Sequence, residues 1–279
     1  MVYTHFKNAD KNHMNTALQT IRKMQKEDIE HVLNIIHEHD EDDAEEAERD
    51  YREIGLSGQI VAVYEGQIIG VSGVRSIEGS SGSYKLSWTY IMKAHCGQGH
   101  GRRLLNYLFD KVQQSFGRKI FVYVSDYVDD NGVAIYAAAL KLYQSMGFIE
   151  EATVQNYYDT GESLTVLSLV LQQADAEFNE AQFESPKIAF EQLFPVAETE
   201  HTYSVSWKIK SFGGSFTAAD LKPIIEAAYE AQAHLILIAF PSNFENVSMP
   251  LFEAGFSQSG QLKDYYQVGV HEDHFIFRV

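Results

Sequence analysis

With one cysteine in 279 residues the chain cannot close an internal disulfide, which suits a reducing compartment. Positive charge is scarce as well. Lysine and arginine number 22 against 39 aspartates and glutamates, and a net charge of −17 argues against nucleic acid as a partner, because that binding needs a basic surface. No apolar run is long enough to span a bilayer, and the first residues lack the apolar core of a signal peptide, so a cytoplasmic protein without a membrane partner is expected. The eleven histidines show no metal-ligand spacing, and no metal is expected. What the chain does have is 45% hydrophobic and 13% aromatic residues, a globular composition, and enough length for one large or two modest domains, each with its own core.

The informative stretch is Cys96-Gly97-Gln98-Gly99-His100-Gly101-Arg102-Arg103. Before it, Leu86, Trp88, Tyr90 and Met92 alternate at the two-residue period of a half-buried strand. After it, Leu104, Leu105, Leu108, Phe109, Val112 and Phe116 recur at helical spacing. Three glycines at alternate positions therefore lie where a strand hands over to a helix N-terminus. Unpaired N–H groups and the positive end of the helix dipole make that place suited to a phosphate-bearing ligand. A Walker loop is excluded, because Gly101 is followed by Arg102-Arg103 and not by Lys-Ser/Thr. A Rossmann fingerprint is excluded by the early third glycine.

The run CGQGHGRRLL resembles the acyl-CoA pyrophosphate loop of the GNAT N-acetyltransferase superfamily, commonly RGQGxGxxLL, with Cys96 where arginine or glutamine is usual. ALKLYQSMGF, ending at Phe148, resembles the later AxxLYxxxGF signature of that family. The element order over 18–173 agrees. A strand near Leu18–Met24 leads to a helix carrying Ile29, Val32, Leu33 and Ile36, and the acidic run His39–Asp50 forms the junction to a second helix. A hairpin of Gln59–Tyr64 and Gln67–Val74 turns at Glu65-Gly66, and Tyr84–Lys93 is the strand entering the glycine loop. Lys119–Ser125 is a buried strand, followed by a helix with Ile135, Ala138, Leu142 and Met146 inward that Gly147 stops. Strands near Val154–Tyr158 and Leu164–Leu171 close the domain. The resemblance implies an α/β fold of the GNAT type, a mixed, mostly antiparallel twisted sheet with helices on both faces.

It also implies a chemistry: transfer of an acetyl group from acetyl-CoA to a primary amine in a ternary complex. By family position, backbone groups of Ile91 and Met92 hold pantetheine and the thioester oxygen, and Cys96, Gly97, Gln98, Gly99, His100, Gly101 and Arg102 hold the pyrophosphate. Tyr143 stands where the family places the tyrosine that donates a proton to the departing thiolate, with packing on an amphipathic helix as its other reading. Tyr136 takes the place of a CoA-contacting asparagine. Asp126 is either the base for the amine or a cap on the polar loop after its strand. His95 and His100 read as surface or loop residues. The acceptor is a small molecule or an exposed amino group, and the acids of His39–Asp50 either draw a cationic one or simply keep a helix face solvated. A non-enzymatic acyl-CoA-binding scaffold is the competing reading. Monomer and homodimer are both open.

Residues 1–17 read as an extension and 174–186 as an acidic linker. Residues 187–279 echo the first domain. LFEAGF repeats LYQSMGF, and Tyr265-Tyr266 follow Gly255 at the offsets by which Tyr157-Tyr158 follow Gly147. The echo has adjacent Gly213-Gly214, no following arginines, and Leu251 or Phe252 in place of the helix tyrosine. It is expected to be a degenerate half-domain of the same fold.

Overall fold

The computed structural model describes residues 19–172 and 185–279. The expected extension over 1–17, and the expected linker up to residue 184, lie outside the described residues. The chain runs β1 (Thr20–Lys23), α1 (Ile29–His37), α2 (Glu41–Glu53), β2 (Gln59–Tyr64), β3 (Gln67–Ser76), β4 (Ser83–Ile91), α3 (His100–Gln114), β5 (Lys119–Ser125), α4 (Ala137–Ser145), β6 (Ile149–Asp159) and β7 (Glu162–Val170). It continues with β8 (Pro186–Pro195), β9 (Thr202–Phe212), α5 (Ala218–Glu230), β10 (Leu235–Pro241), α6 (Ser248–Glu253), β11 (Ser257–Gln267) and β12 (Val270–Arg278).

Three sequence readings are corrected. The acidic run is not a junction but α2 itself, because Asp40 caps it by accepting from the N–H groups of Asp42 and Asp43, and Ala44, Ala47 and Tyr51 give it a buried stripe. Pro186 does not end the linker; it begins β8. On α4 the fully buried residue is Tyr143, whereas Ala138 is exposed and Ile135 precedes the helix.

The described strands form one twelve-stranded sheet in the order β1-β2-β3-β4-β5-β7-β6-β11-β12-β10-β9-β8. Pairing is antiparallel throughout except between β4 and β5 and between β9 and β10. From the β6–β11 junction outward the two sides therefore follow the same path, with α5 placed like α3 and α6 like α4. At that junction Gly260 faces Ala152, and a Cβ on Gly260 would come within 2.4 Å of the alanine methyl. Only glycine lets the two strands meet there.

The two sides also exchange matching contacts. Ser80 Oγ bridges its own turn to the Ile77 carbonyl at 2.7 Å, and Thr199 Oγ1 does the same to Val196 at 2.7 Å. The N–H of Ser81 then donates to Tyr266 O at 2.5 Å, and that of Glu200 to Tyr158 O at 2.6 Å. Asn156 and Asp264, both in the left-handed region, accept the amides of Gly161 and Gly269 at 2.9 and 2.8 Å. The second half has no counterpart of α1 and α2 among the described residues. Its bare face is covered by the first half: Leu235, Leu262 and Ile276 share a core with Phe121, Val154, Tyr157 and Val166. A sheet face of this size needs such a cover.

Candidate active site

Strands β4 and β5 pair for three residues, Ser83–Lys85 against Lys119–Phe121, and then part. Beyond that point β5 stays with β7 as far as Ser125, and β4 stays with β3 as far as Ile91. A bulge sharpens the divergence, since Ser87 to Tyr90 spans one more residue than Gly73 to Val71 opposite. The result is a wedge-shaped gap between two parallel strands.

The glycine loop lies at the β4 end of this gap. Gly97 and Gly99 have φ of 73° and 82°, the left-handed region that glycine fills without strain. Gly101 lies inside α3, where an added Cβ would stand 3.4 Å from Leu142 and 3.5 Å from Ile91. Among the described residues, the N–H groups of Gly97 through Arg102 find no acceptor, whereas Arg103 N–H already donates to Gly99 O at 3.1 Å. No acidic side chain sits in the first turn of α3. Arg102 donates to Ser145 Oγ at 2.5 Å, and Arg103 to Gln19 Oε1 at 2.9 Å, so both guanidinium groups flank the loop. His100 is not a surface residue. It is 3% exposed, packs on Tyr64 and His95, and burial with the nearby Arg103 and His95 lowers its pKa.

Tyr143 is 4% exposed, with Phe148 against its ring at 5.4 Å. Burial pushes its phenol up to about 12, partly offset by a hydrogen bond with the Thr89 side chain. Thr89 belongs to the β4 bulge and lies 2.9 Å from Ser72 Oγ. The phenol thus reaches β4 at the widening of the gap, and it stays protonated at any neutral pH.

The backbone assignments need one correction. Met92 N–H donates to Ile69 O at 2.8 Å and is not available to a thioester oxygen. Strand alternation then turns the Ile91 N–H away from β3. The Ile91 carbonyl already faces His39 Nε2 at 2.8 Å and Cys96 Sγ at 3.4 Å. Cys96 is exposed, and partial burial followed by the charge of Glu38 raises its thiol.

Tyr136 does not point along the glycine loop. Its hydroxyl donates to Asp43 Oδ2 at 2.8 Å and to Asp40 Oδ2 at 3.2 Å, across the opposite side of the gap. Tyr90 donates to the same Asp43 oxygen, and burial raises the Asp43 pKa despite both phenols. Asp126 is exposed and accepts the Ser163 N–H at 2.6 Å, the capping geometry between β5 and β7. Thr89 carries no motif, and within the acidic run His39–Asp50 no spacing singles out Asp40 and Asp43.

The equivalent gap in the second half is closed. Trp207 reaches from β9 to β10, where its Nε1 donates to Ala239 O at 3.0 Å and its ring lies 4.9 Å from Phe240. The N-terminus of α5 is capped by its own side chains, with Asp220 accepting from Thr217 N–H at 2.8 Å and from Thr217 Oγ1 at 2.9 Å. A carboxylate thus occupies the place an anion would need. Leu251, buried completely, answers to Tyr143, because Phe256 N–H bonds back to its carbonyl as Phe148 N–H does to Tyr143.

Residues 57–150 match the model of the acetyltransferase (GNAT) domain. No curated protein matches the chain. Among solved structures, a GNAT-family protein of Desulfovibrio desulfuricans is similar at 21% identity and a TM-score of 0.48, over 56% of this chain and 100% of that one. The ribosomal-protein-S18-alanine N-acetyltransferase of Escherichia coli is similar at 20% and 0.46, over 58% and 99%. Ard1 of Thermoplasma volcanium is similar at 16% and 0.46, over 56% and 99%.

Proposed function

We propose that this chain, whose residues 57–150 match the GNAT acetyltransferase domain model, transfers an acetyl group from acetyl-CoA directly to a primary amine held in the same complex. The observation that carries the reading is the run of N–H groups from Gly97 to Arg102 that are unengaged among the described residues, opening beside a gap that ends on the Tyr143 phenol. The pyrophosphate would lie on those amides and on the start of α3, whose dipole favours it. Pantetheine would fill the wedge between β4 and β5 as an extended strand does. The thioester oxygen would face the Ile91 N–H, and an N–H aimed at a developing oxyanion is worth more in a dry gap than in water.

The amine would approach from the side of Asp40, Asp43 and Tyr90. Holding both reactants in line removes a large part of the entropic barrier. As the amine nitrogen bonds to the carbonyl carbon, the carbon–sulfur bond breaks and the thiolate takes a proton from Tyr143. The amine loses its own proton to solvent or to a neighbouring carboxylate, and the Tyr143 phenolate regains one from solvent.

Acetyl-CoA offered with a panel of primary amines, and thiol release followed, tests this. Amine-dependent release of CoA is expected. Tight CoA binding with no release for any amine would instead favour an acyl-CoA-binding scaffold.

A further inference from the structure

The acceptor side of the gap is not built by the first half alone. The turn between β8 and β9, residues 196–201, sits on β6 where its pairing with β7 shifts register between Val154 and Asp159, through Glu200 N–H to Tyr158 O at 2.6 Å and Thr202 Oγ1 to Tyr157 O at 2.7 Å. Val196 packs into the cluster that holds Phe121 and Tyr123 of β5. Tyr123 is a floor residue of this side, with Lys85 Nζ 4.3 Å above its ring. This places Glu198, at the tip of the turn, among Lys85 of β4 and Asp43, Glu46 and Asp50 of α2. The matching turn of the first half, which sits on Tyr266, carries Gly79 where this one carries Glu198. The two turns are alike in backbone, with Gly79 and Glu198 both in the left-handed region, and the second alone puts a carboxylate at that place.

The charges there do not balance. Asp50 is paired with Arg75 at 3.0 Å and Glu46 with Arg49 at 2.7 Å. Asp40, Asp43 and Glu198 have no ion pair among the described residues, and Lys85 is the cation beside Glu198.

We propose that the second half completes the acceptor pocket, and that Glu198 receives a second positive charge on the acceptor, so that the pocket selects amines bearing two cationic centres. The inference rests on the acetyltransferase reading, and it gives the second half a task in the reaction that its closed gap cannot perform. One ammonium, deprotonated, would point to the thioester; the other would stay charged between Glu198 and the α2 carboxylates. Glu198 is open on the cleft side, yet loss of hydration, and after it the charge of Asp43, push its carboxyl up to about 7, with Lys85 opposing and Glu46 and Asp50 adding to the rise. Tyr157 and Tyr158 face it from β6 and stay neutral. A bound cation favours the ionised form, so cation affinity should rise between pH 6 and pH 8.

The test is calorimetry on the CoA-loaded full chain with 1,4-diaminobutane, against 1-aminobutane of the same length. The wild type should bind the diamine about tenfold or more tightly than the monoamine, since one screened ion pair in a concave site is worth roughly that. Glu198→Gln should remove most of this preference and its rise with pH, while CoA affinity stays unchanged. Equal diamine affinity in wild type and variant, or no diamine preference in the wild type, would overturn the proposal. Failure of CoA itself to bind would count against the acetyltransferase reading instead.

Discussion

Tyr143→Phe should lower kcat by about 100-fold or more, the usual contribution of a positioned acid, while CoA affinity stays within about twofold. The ring keeps its contacts with Phe148 and the α4 core, so only the proton and the Thr89 contact are lost. A phenol raised to about 12 by burial is protonated throughout neutral pH, so the loss should be the same at pH 6 and at pH 9. Thiol release at saturating acetyl-CoA, under conditions in which chemistry limits the rate, measures it. A change within about twofold would make Tyr143 a packing residue.

The second large effect concerns the seam between the halves. Glu151 and Lys119 have side chains 1% and 3% exposed, with Oε1 2.8 Å from Nζ. Ser168 Oγ donates to the same carboxylate at 2.5 Å, and Lys263 N–H of β11 to its other oxygen at 2.8 Å. Lys119 Nζ in turn donates to Lys263 O at 2.5 Å. Burial alone would raise the carboxyl, but these hydrogen bonds and the ammonium hold it below the usual range, while burial lowers the lysine. Glu151→Ala strands a buried ammonium and a backbone N–H, and should cost about 3–5 kcal/mol in urea denaturation. Replacing both partners with apolar residues of similar volume should recover most of that loss. Because the folded carboxyl titrates below the unfolded one, its contribution is present above the unfolded value, near pH 4, and disappears as pH falls through the folded value. The gap between wild type and Glu151→Ala should therefore narrow in acid. A loss under about 1 kcal/mol at neutral pH would show that the seam does not depend on this pair.

What the sequence made legible was whatever rests on local chemistry. Periodicity and turn residues placed β2, β5 and the β4–α3 handover within a residue or two, and Gly147 and Gly255, at φ of 94° and 96°, marked both helix ends. The order of elements in the first half followed from the same signals. What stayed hidden depends on partners far along the chain. The Met92 amide was assigned to the thioester because nothing local shows that Ile69, 23 residues earlier, takes it. Tyr136 was assigned to CoA because its helix position could not reveal Asp40 and Asp43 across the gap. Gly255 and Tyr265-Tyr266 suggest a likeness between the two halves, yet the joining of both into one sheet turns on Gly260 meeting Ala152, a contact between strands more than 100 residues apart. Trp88 and Trp207 each lie five residues after Ser83 and Thr202, the first residues of β4 and β9, yet Trp207 crosses its gap to Ala239 while Trp88, within the β4 bulge, donates to Asp50.

The central claim is that one acyl-CoA site exists per chain, at the glycine loop of the first half, and calorimetric titration of the full chain with CoA tests it most directly. The account predicts one CoA per chain, and loss of binding in Gly99→Val, where a branched side chain must adopt a φ of 82° in the loop proposed to hold the pyrophosphate. Circular dichroism unchanged from wild type would show that the variant is folded. Two CoA molecules per chain, or an affinity that Gly99→Val leaves untouched, would contradict it.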